Sequence, residues 1–189
     1  KIGLFLERYP GDEKTIRCIE EKLASCDVRL PRGDRLTPRR FRQIGSALGA
    51  GDGFEKIHYV LEEALVTGGE LGESFLNQVD QMFPFSTNPI YAILHEACYL
   101  QGGASRWSAE RMREDLLLTE EMIFPWMFDE VRVLGGMKEE AEILANDDEW
   151  PRLYDVGRLG ENEVPCVAAI YENDMYVPRQ YSEETAGAI

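Results

Sequence analysis

Apolar residues recur at helical spacing through most of the chain and become a continuous run only near its end. Residues 1–10 read as the end of one helix, closed by the turn Tyr9-Pro10-Gly11-Asp12. Ile16, Ile19 and Leu23 lie on one stripe and predict a helix over 13–26. A polar, proline-containing connection covers 28–34. Thr37-Pro38 then places a capping residue before a proline at the first helical position, with Phe41, Ile44 and Leu48 behind it. Gly49, Gly51 and Gly53 break the chain. Phe54, Ile57, Leu61 and Leu65 form the next stripe, which Gly68-Gly69 ends. A short helix is predicted from Ser74 to Phe83, stopped by Pro84. Asn88-Pro89 opens another, and Ile90, Ile93, Leu94, Ala97 and Leu100 make it apolar enough to be central. Ser108 caps a charged helix from Ala109 to Leu117, and a further helix runs from Met137 to Asn146.

The run Val164-Pro165-Cys166-Val167-Ala168-Ala169-Ile170-Tyr171 breaks this pattern. Its length and its flanking acidic turn, Glu172-Asn173-Asp174, predict a buried strand over 164–171. The fold class that follows is mainly α, with one late core strand at the C-terminal end. A lone core strand needs partners that this chain hardly offers. The expectation is therefore a piece of a larger sheet protein, with a helical domain over 1–160 and a fragment of core over 161–189. No internal repeat or low-complexity tract interrupts the pattern.

Composition narrows the class. The 189 residues are 44% hydrophobic and 10% aromatic, which suits a folded globule with its own core. The net charge of −15 is unevenly spread: residues 1–49 carry eleven basic and seven acidic side chains, and the remainder is strongly acidic. That balance repels phosphate backbones and argues against nucleic acid as a partner. The opening Ile2 to Leu6 is too short for a signal or membrane segment, so no membrane partner is expected, and Lys1 suggests a processed product or proteolytic piece. None of Cys18, Cys26, Cys98 and Cys166 forms a CxxC pair, which favours reduced thiols and a cytoplasmic setting, with Cys98 and Cys166 as small buried hydrophobes. With only His58 and His95, a zinc site has little support, and no metal is expected. Arg35, Arg39, Arg40 and Arg42 form either a small anion site or a solvated helix face.

Candidate chemistry lies in a few acids. Glu96 and Glu121 sit in apolar surroundings, where carboxylates are rare unless paired. They are either binders of an ammonium group or partners of arginines such as Arg106 or Arg113. Tyr91, Tyr99, Phe124 and Trp126 can line a pocket beside them. Trp107 and Trp150 read as core. Asp174 follows the predicted strand, where open α/β sheets gather functional groups, although Asn173-Asp174 also suits a plain turn. No Gly-x-Ser-x-Gly elbow occurs and no histidine follows Asp174, so a serine-histidine-acid set is incomplete within these residues.

Four stretches carry a resemblance: Asp52 to Tyr59; Asn88 to Glu96; Gln101 to Arg111; and Asn162 through Pro178. They resemble the prolyl aminopeptidase, or proline iminopeptidase, family of α/β-hydrolases, in its longer bacterial branch, and the similarity runs through most of the chain. The resemblance implies a helical cap followed by the late core strand, with Asp174 as the triad acid that orients a histidine. It implies that Glu96, and Glu121 as a second position, bind the free N-terminal imine of a peptide, with Tyr91, Tyr99, Phe124 and Trp126 walling the proline ring. It implies no cofactor. The partners are a peptide with free N-terminal proline and the remainder of the hydrolase domain, with oligomeric state left open. Three positions depart from the family pattern: Glu120 stands where Gly is frequent, Cys98 where small residues or proline are common, and Asn173 where a second Asp is frequent. Glu120 leaves open which of it and Glu121 faces the substrate.

The expected function is release of N-terminal proline by a serine-type aminopeptidase. This chain would supply the recognition cap and the acid, and would be inactive alone. A capped hydrolase acting on another amide or ester, and a non-catalytic helical interaction module, are the alternatives.

Overall fold

Eleven short α-helices, with 3-10 turns at Gln43–Gly49, Ala97–Tyr99 and Gly135–Met137, make up the regular structure in a computed structural model that describes residues 1–83, 85, 87–111 and 116–189. The first five are α1 (Ile2–Arg8), α2 (Asp12–Ser25), α3 (Pro38–Arg42), α4 (Gly53–Glu62) and α5 (Glu73–Gln81). Then come α6 (Ile90–Glu96), α7 (Ser108–Arg111), α8 (Met127–Glu130), α9 (Lys138–Asn146), α10 (Val156–Gly160) and α11 (Arg179–Gly187). Helices this short are marginal alone and depend on shared packing.

Two hydrophobic clusters provide that packing. The first joins α1 to α5: Phe5, Ile16, Ile19, Leu23, Phe41, Ile44, Leu48 and Ile57 are fully buried in it. The stripe on α2 and the one on α4 are therefore the faces that meet. Thr37 caps α3 as its sequence predicts, its side chain accepting the Arg40 N–H at 3.3 Å with Pro38 in the first turn. The second cluster joins α6, α8 and α9 around Ala92, Trp107, Ile123, Met127, Phe128 and Ala145.

Several sequence expectations change. α4 ends at Glu62, and Leu65 instead bridges Leu71 across a turn in which Gly68 and Gly69 take φ of 92° and 75°. The double glycine thus builds a left-handed turn that other residues adopt at a cost. α6 is not central: Ile90 and Leu94 are 55% and 52% exposed, and it buries Ala92 and Glu96. Cys98 and Cys166 are exposed free thiols, as are Cys18 and Cys26. The arginine cluster is only in part a solvated face: Arg35 and Arg39 are exposed, whereas Arg40 is buried. Arg40 is buried on Asp34 at 3.1 Å, Arg39 pairs with Glu130, Arg42 with Glu20, and Arg35 with Asp27 at 3.4 Å. The predicted stop at Pro84, the body of the helix expected to Leu117, and Arg113 lie outside the described residues.

The largest correction concerns the run over 164–171. It is not a strand, and its side chains are not buried: Val164 is 69%, Tyr171 72% and Val167 fully exposed. A strand exists only as part of a ladder, because its backbone N–H and C=O groups need partners on a neighbour. Among the described residues β pairing is confined to two isolated bridges, Arg29 with Arg35 and Leu65 with Leu71, and neither reaches this run. Apart from these bridges the regular structure of the described residues is helical. The late core strand, the mixed fold class built on it, and the delivery of Asp174 by that strand are all withdrawn.

Candidate functional site

Between the two clusters lies a cleft of about 490 Å³. One side comes from the turn after α3 and the end of α5, through Gln43, Ser46, Met82 and Phe83. The other comes from Phe85, Tyr91 on α6, and the segment Glu120 to Ile123. Asp52 and Lys56 join the lining. A second recess of about 250 Å³ holds His95, Cys98, Tyr99 and Met175, and shares Glu120, Glu121, Met122 and Tyr176 with the first.

Glu121 is the common element. The Tyr91 hydroxyl donates to its Oε1, and the Tyr99 hydroxyl donates to its main-chain carbonyl at 3.2 Å. Tyr91 and Tyr99 sit eight residues apart on one face of α6 and its continuation, with His95 between them at ring distances of 4.9 and 5.1 Å. Burial, the hydrogen bond to Glu121 and the Glu121 charge raise the Tyr91 phenol well above its ordinary range. Burial, with the charges of Glu96 and Glu121, pushes Tyr99 up to about 12 against a backbone hydrogen bond at Ile123 that works the other way. Both are neutral donors at any physiological pH.

Glu96 is placed apart from this cleft. It is 1% exposed, and its Oε1 accepts the Ser108 N–H at 3.0 Å, at the start of α7. Its Oε2 has no hydrogen-bond partner among the described residues. The carboxylate thus caps a helix start and stands behind Tyr99. Phe124 and Trp126 stack on each other at 5.8 Å, and Arg39 lies 4.6 Å over the Trp126 ring. That pair packs on the second cluster and does not line the cleft.

Asp174 is half-buried in an exposed loop. Its Oδ1 accepts the N–H groups of Tyr176 and Val177 at 2.9 and 3.1 Å, a side-chain turn that fixes the loop shape locally. Tyr176 then carries the loop back onto the helical body. Its hydroxyl donates to the Ser46 carbonyl at 2.9 Å, and its ring lies so close to Gly49 that a Cβ there would sit 2.2 Å from Cζ. Burial of the hydroxyl end, then the charges of Glu121 and Asp174, raise the Tyr176 phenol. Tyr176 therefore joins the Asp174 loop to the wall shared by both recesses.

The site brings together Glu121, Tyr91 and Tyr99 from the predicted set and leaves Glu96, Phe124 and Trp126 behind it. Sequence reasoning missed Gln43, His95 and Tyr176. Tyr176 lies inside the Asn162 to Pro178 motif and carried a signal as an aromatic beside an acid turn. Gln43 carried none. Among the described residues no group of three or more His, Cys, Asp or Glu is placed to hold a metal ion, and no helix is long and apolar enough to cross a membrane.

No protein-family model matches the chain. It is 44% identical over 196 residues to a proline iminopeptidase of Aeromonas sobria, an alignment covering 98% of this chain and 46% of the relative. It is 31% identical over 212 residues to the proline iminopeptidase aneH of Aspergillus aculeatus, covering 98% and 44% respectively. The chain spans less than half the length of these curated relatives, and its similarity to them runs along nearly all of its own length.

Proposed function

We propose that this chain is the substrate-recognition part of a serine-type aminopeptidase that releases N-terminal proline, and that the cleft at Glu121 receives the protonated peptide N-terminus. The observation that carries this reading is Glu121 at the wall shared by two recesses, its carboxylate held by the Tyr91 hydroxyl and its main-chain carbonyl by the Tyr99 hydroxyl. A fixed carboxylate beside apolar side chains recognises an ammonium through charge-assisted hydrogen bonds and its carbon ring through burial. The similarity to two proline iminopeptidases supports that choice of amine over other cations.

In this proposal Glu121 makes the direct contact and Glu96 supports it from behind through Tyr99. Asp174 acts as the acid that orients a histidine, and Tyr176 sets the distance of its loop from the bound N-terminus. No Gly-x-Ser-x-Gly elbow occurs in the 189 residues, so the nucleophile is assigned elsewhere in the catalytic assembly, and the rest of the hydrolase domain is the expected partner. The overall step is acyl transfer to serine, release of the peptide amine, and hydrolysis of the ester by water.

The test is a pair of measurements on the purified chain. Titration with L-prolinamide, followed by backbone NMR shifts, should give saturable binding at roughly millimolar concentration, as expected for so small a ligand. The shifts should centre on Tyr91, Glu121 and Ile123, and N-acetyl-L-prolinamide should give none. L-proline p-nitroanilide should not be hydrolysed by the chain alone. Equal binding of the acetylated ligand, or turnover by the isolated chain, refutes the assignment.

A further inference from the structure

The cleft contains a buried acceptor that the reading above does not use. Gln43 opens the turn that follows α3 and is 6% exposed, yet it lines the cleft. Its Nε2 donates to the Met122 carbonyl at 3.4 Å and lies 3.6 Å from Met127 Sδ. A main-chain carbonyl only accepts, so the Met122 contact decides which end of the amide faces which neighbour. The other end, Oε1, is buried and has no hydrogen-bond partner among the described residues. Buried amide oxygens are nearly always paired, so an unpaired one in a cleft wall points to a donor brought by a ligand. Met122 directly follows Glu121, so the same short segment holds both acceptors.

We infer that Gln43 is a specificity-determining residue that takes one N–H of a protonated secondary amine, with Glu121 taking the other. This inference rests on the cleft reading proposed above and deepens it. An N-terminal proline carries an ammonium with two N–H donors. Glu121 Oε1 already accepts the Tyr91 hydroxyl, which leaves Oε2 for one of them. Gln43 Oε1, the unpaired acceptor in the lining of the same cleft, is the one assigned to the second. A tertiary amine brings a single N–H and leaves Gln43 unpaired, as it is in the free protein. A ligand site that hydrogen-bonds a donor rejects the analogue lacking it more strongly than an apolar site rejects a missing methyl group.

The experiment compares L-prolinamide, N-methyl-L-prolinamide and N-acetyl-L-prolinamide by NMR titration of the full chain and of Glu121→Gln and Gln43→Met. The unmodified chain should prefer prolinamide to its N-methyl form about tenfold, the effect of one such hydrogen bond. Gln43→Met should lose about tenfold for prolinamide and bring the two ligands within about twofold of each other. Should Gln43→Met fail to fold by circular dichroism, the unmodified chain decides: a preference of about tenfold for prolinamide over its N-methyl form supports the inference and equal binding of the two overturns it. Binding abolished by Glu121→Gln but indifferent to Gln43→Met overturns the role of Gln43 and leaves the cleft reading standing. Equal binding of prolinamide and its N-acetyl form by the unmodified chain overturns both.

Discussion

Glu96→Ala separates a carboxylate that shapes the fold from Glu121, the one proposed to meet the ligand. Glu96 is 1% exposed and accepts the Ser108 N–H at 3.0 Å. The two residues before Ser108, Arg106 and Trp107, have φ of 49° and 60°. Consecutive non-glycine residues in the left-handed region cost about 1–3 kcal/mol each and persist only where neighbours dictate them. Here the Arg106 N–H donates to Ala145 at 2.8 Å, the Trp107 indole donates to Glu142 at 3.2 Å, and the Trp107 ring packs on Phe128 at 5.6 Å. Glu96 holds the downstream end of that bend.

Truncation to alanine leaves the Ser108 N–H without its charged acceptor, about 1–3 kcal/mol, and opens a small cavity, about 1–2 kcal/mol. With partial relaxation the expected loss is about 3 kcal/mol, read as a fall in urea midpoint at unchanged slope. Glu96→Gln keeps an acceptor at Oε1 and replaces a buried charge by a neutral amide, so its stability should lie within about 1 kcal/mol of the parent. An alanine variant within about 0.5 kcal/mol of the parent would refute the capping argument. A glutamine variant as damaged as alanine would show that the negative charge, not the acceptor, is what the site requires. The same glutamine variant should keep most of its prolinamide binding, whereas Glu121→Gln should lose it.

Other expectations follow from single contacts. Gly49→Val would drive a side chain into the Tyr176 ring, so amide exchange at 174–177 should rise about tenfold as the loop opens; unchanged protection there would show that Tyr176 does not pin the loop. Thr37 caps α3 and also donates to Glu130 Oε2 at 2.8 Å, so Thr37→Ala should cost about 2 kcal/mol in denaturant titration, with Thr37→Ser retaining most of it. The fold should weaken in alkali. Tyr99 has its pKa raised to about 12 in the folded chain, so the folded state holds a proton that the unfolded chain, with its ordinary phenol, releases near pH 10. Its contribution is complete below that point and is lost between about pH 10 and 12, to an extent of about 1 kcal/mol after allowance for partial exposure. Tyr99→Phe should flatten that part of the stability profile, and an unaltered slope would disprove the assignment.

What the sequence revealed follows the range of the forces involved. The helices over α2 and α4 were legible because a period of 3.6 residues is written locally, and the Thr37-Pro38 start was legible because capping needs only three neighbours. The run over 164–171 was misread because an apolar run is the same string whether or not a ladder awaits it. Only the positions of distant residues decide, and here two isolated bridges are all the pairing described. Glu96 and Glu121 could be singled out as acids among apolar neighbours. Their partners, a Ser108 amide twelve residues on and a Tyr91 hydroxyl thirty residues back, are tertiary facts. Gln43 was invisible for the same reason, since its amide meets Met122 across 79 residues.

The loss of the strand does not detach Asp174 from the cleft, and that bears on how the loop works. Asp174 shapes its own loop by accepting the Tyr176 and Val177 amides, and Tyr176 anchors that loop at Ser46 and Gly49 on the turn that also begins with Gln43. Gly49 is what makes the anchor possible, because any Cβ at that position would occupy the space of the ring. The acid loop is thus held through an aromatic contact to the helical body, not through a sheet. A shift of the Gln43–Gly49 turn on ligand binding would therefore be transmitted to Asp174 through one side chain. Gly49→Val tests that coupling as well as the latch: it should loosen the 174–177 loop and, because Tyr176 also lines the cleft, weaken prolinamide binding in the same variant, whereas a loosened loop with unchanged binding would show that loop and cleft are not coupled.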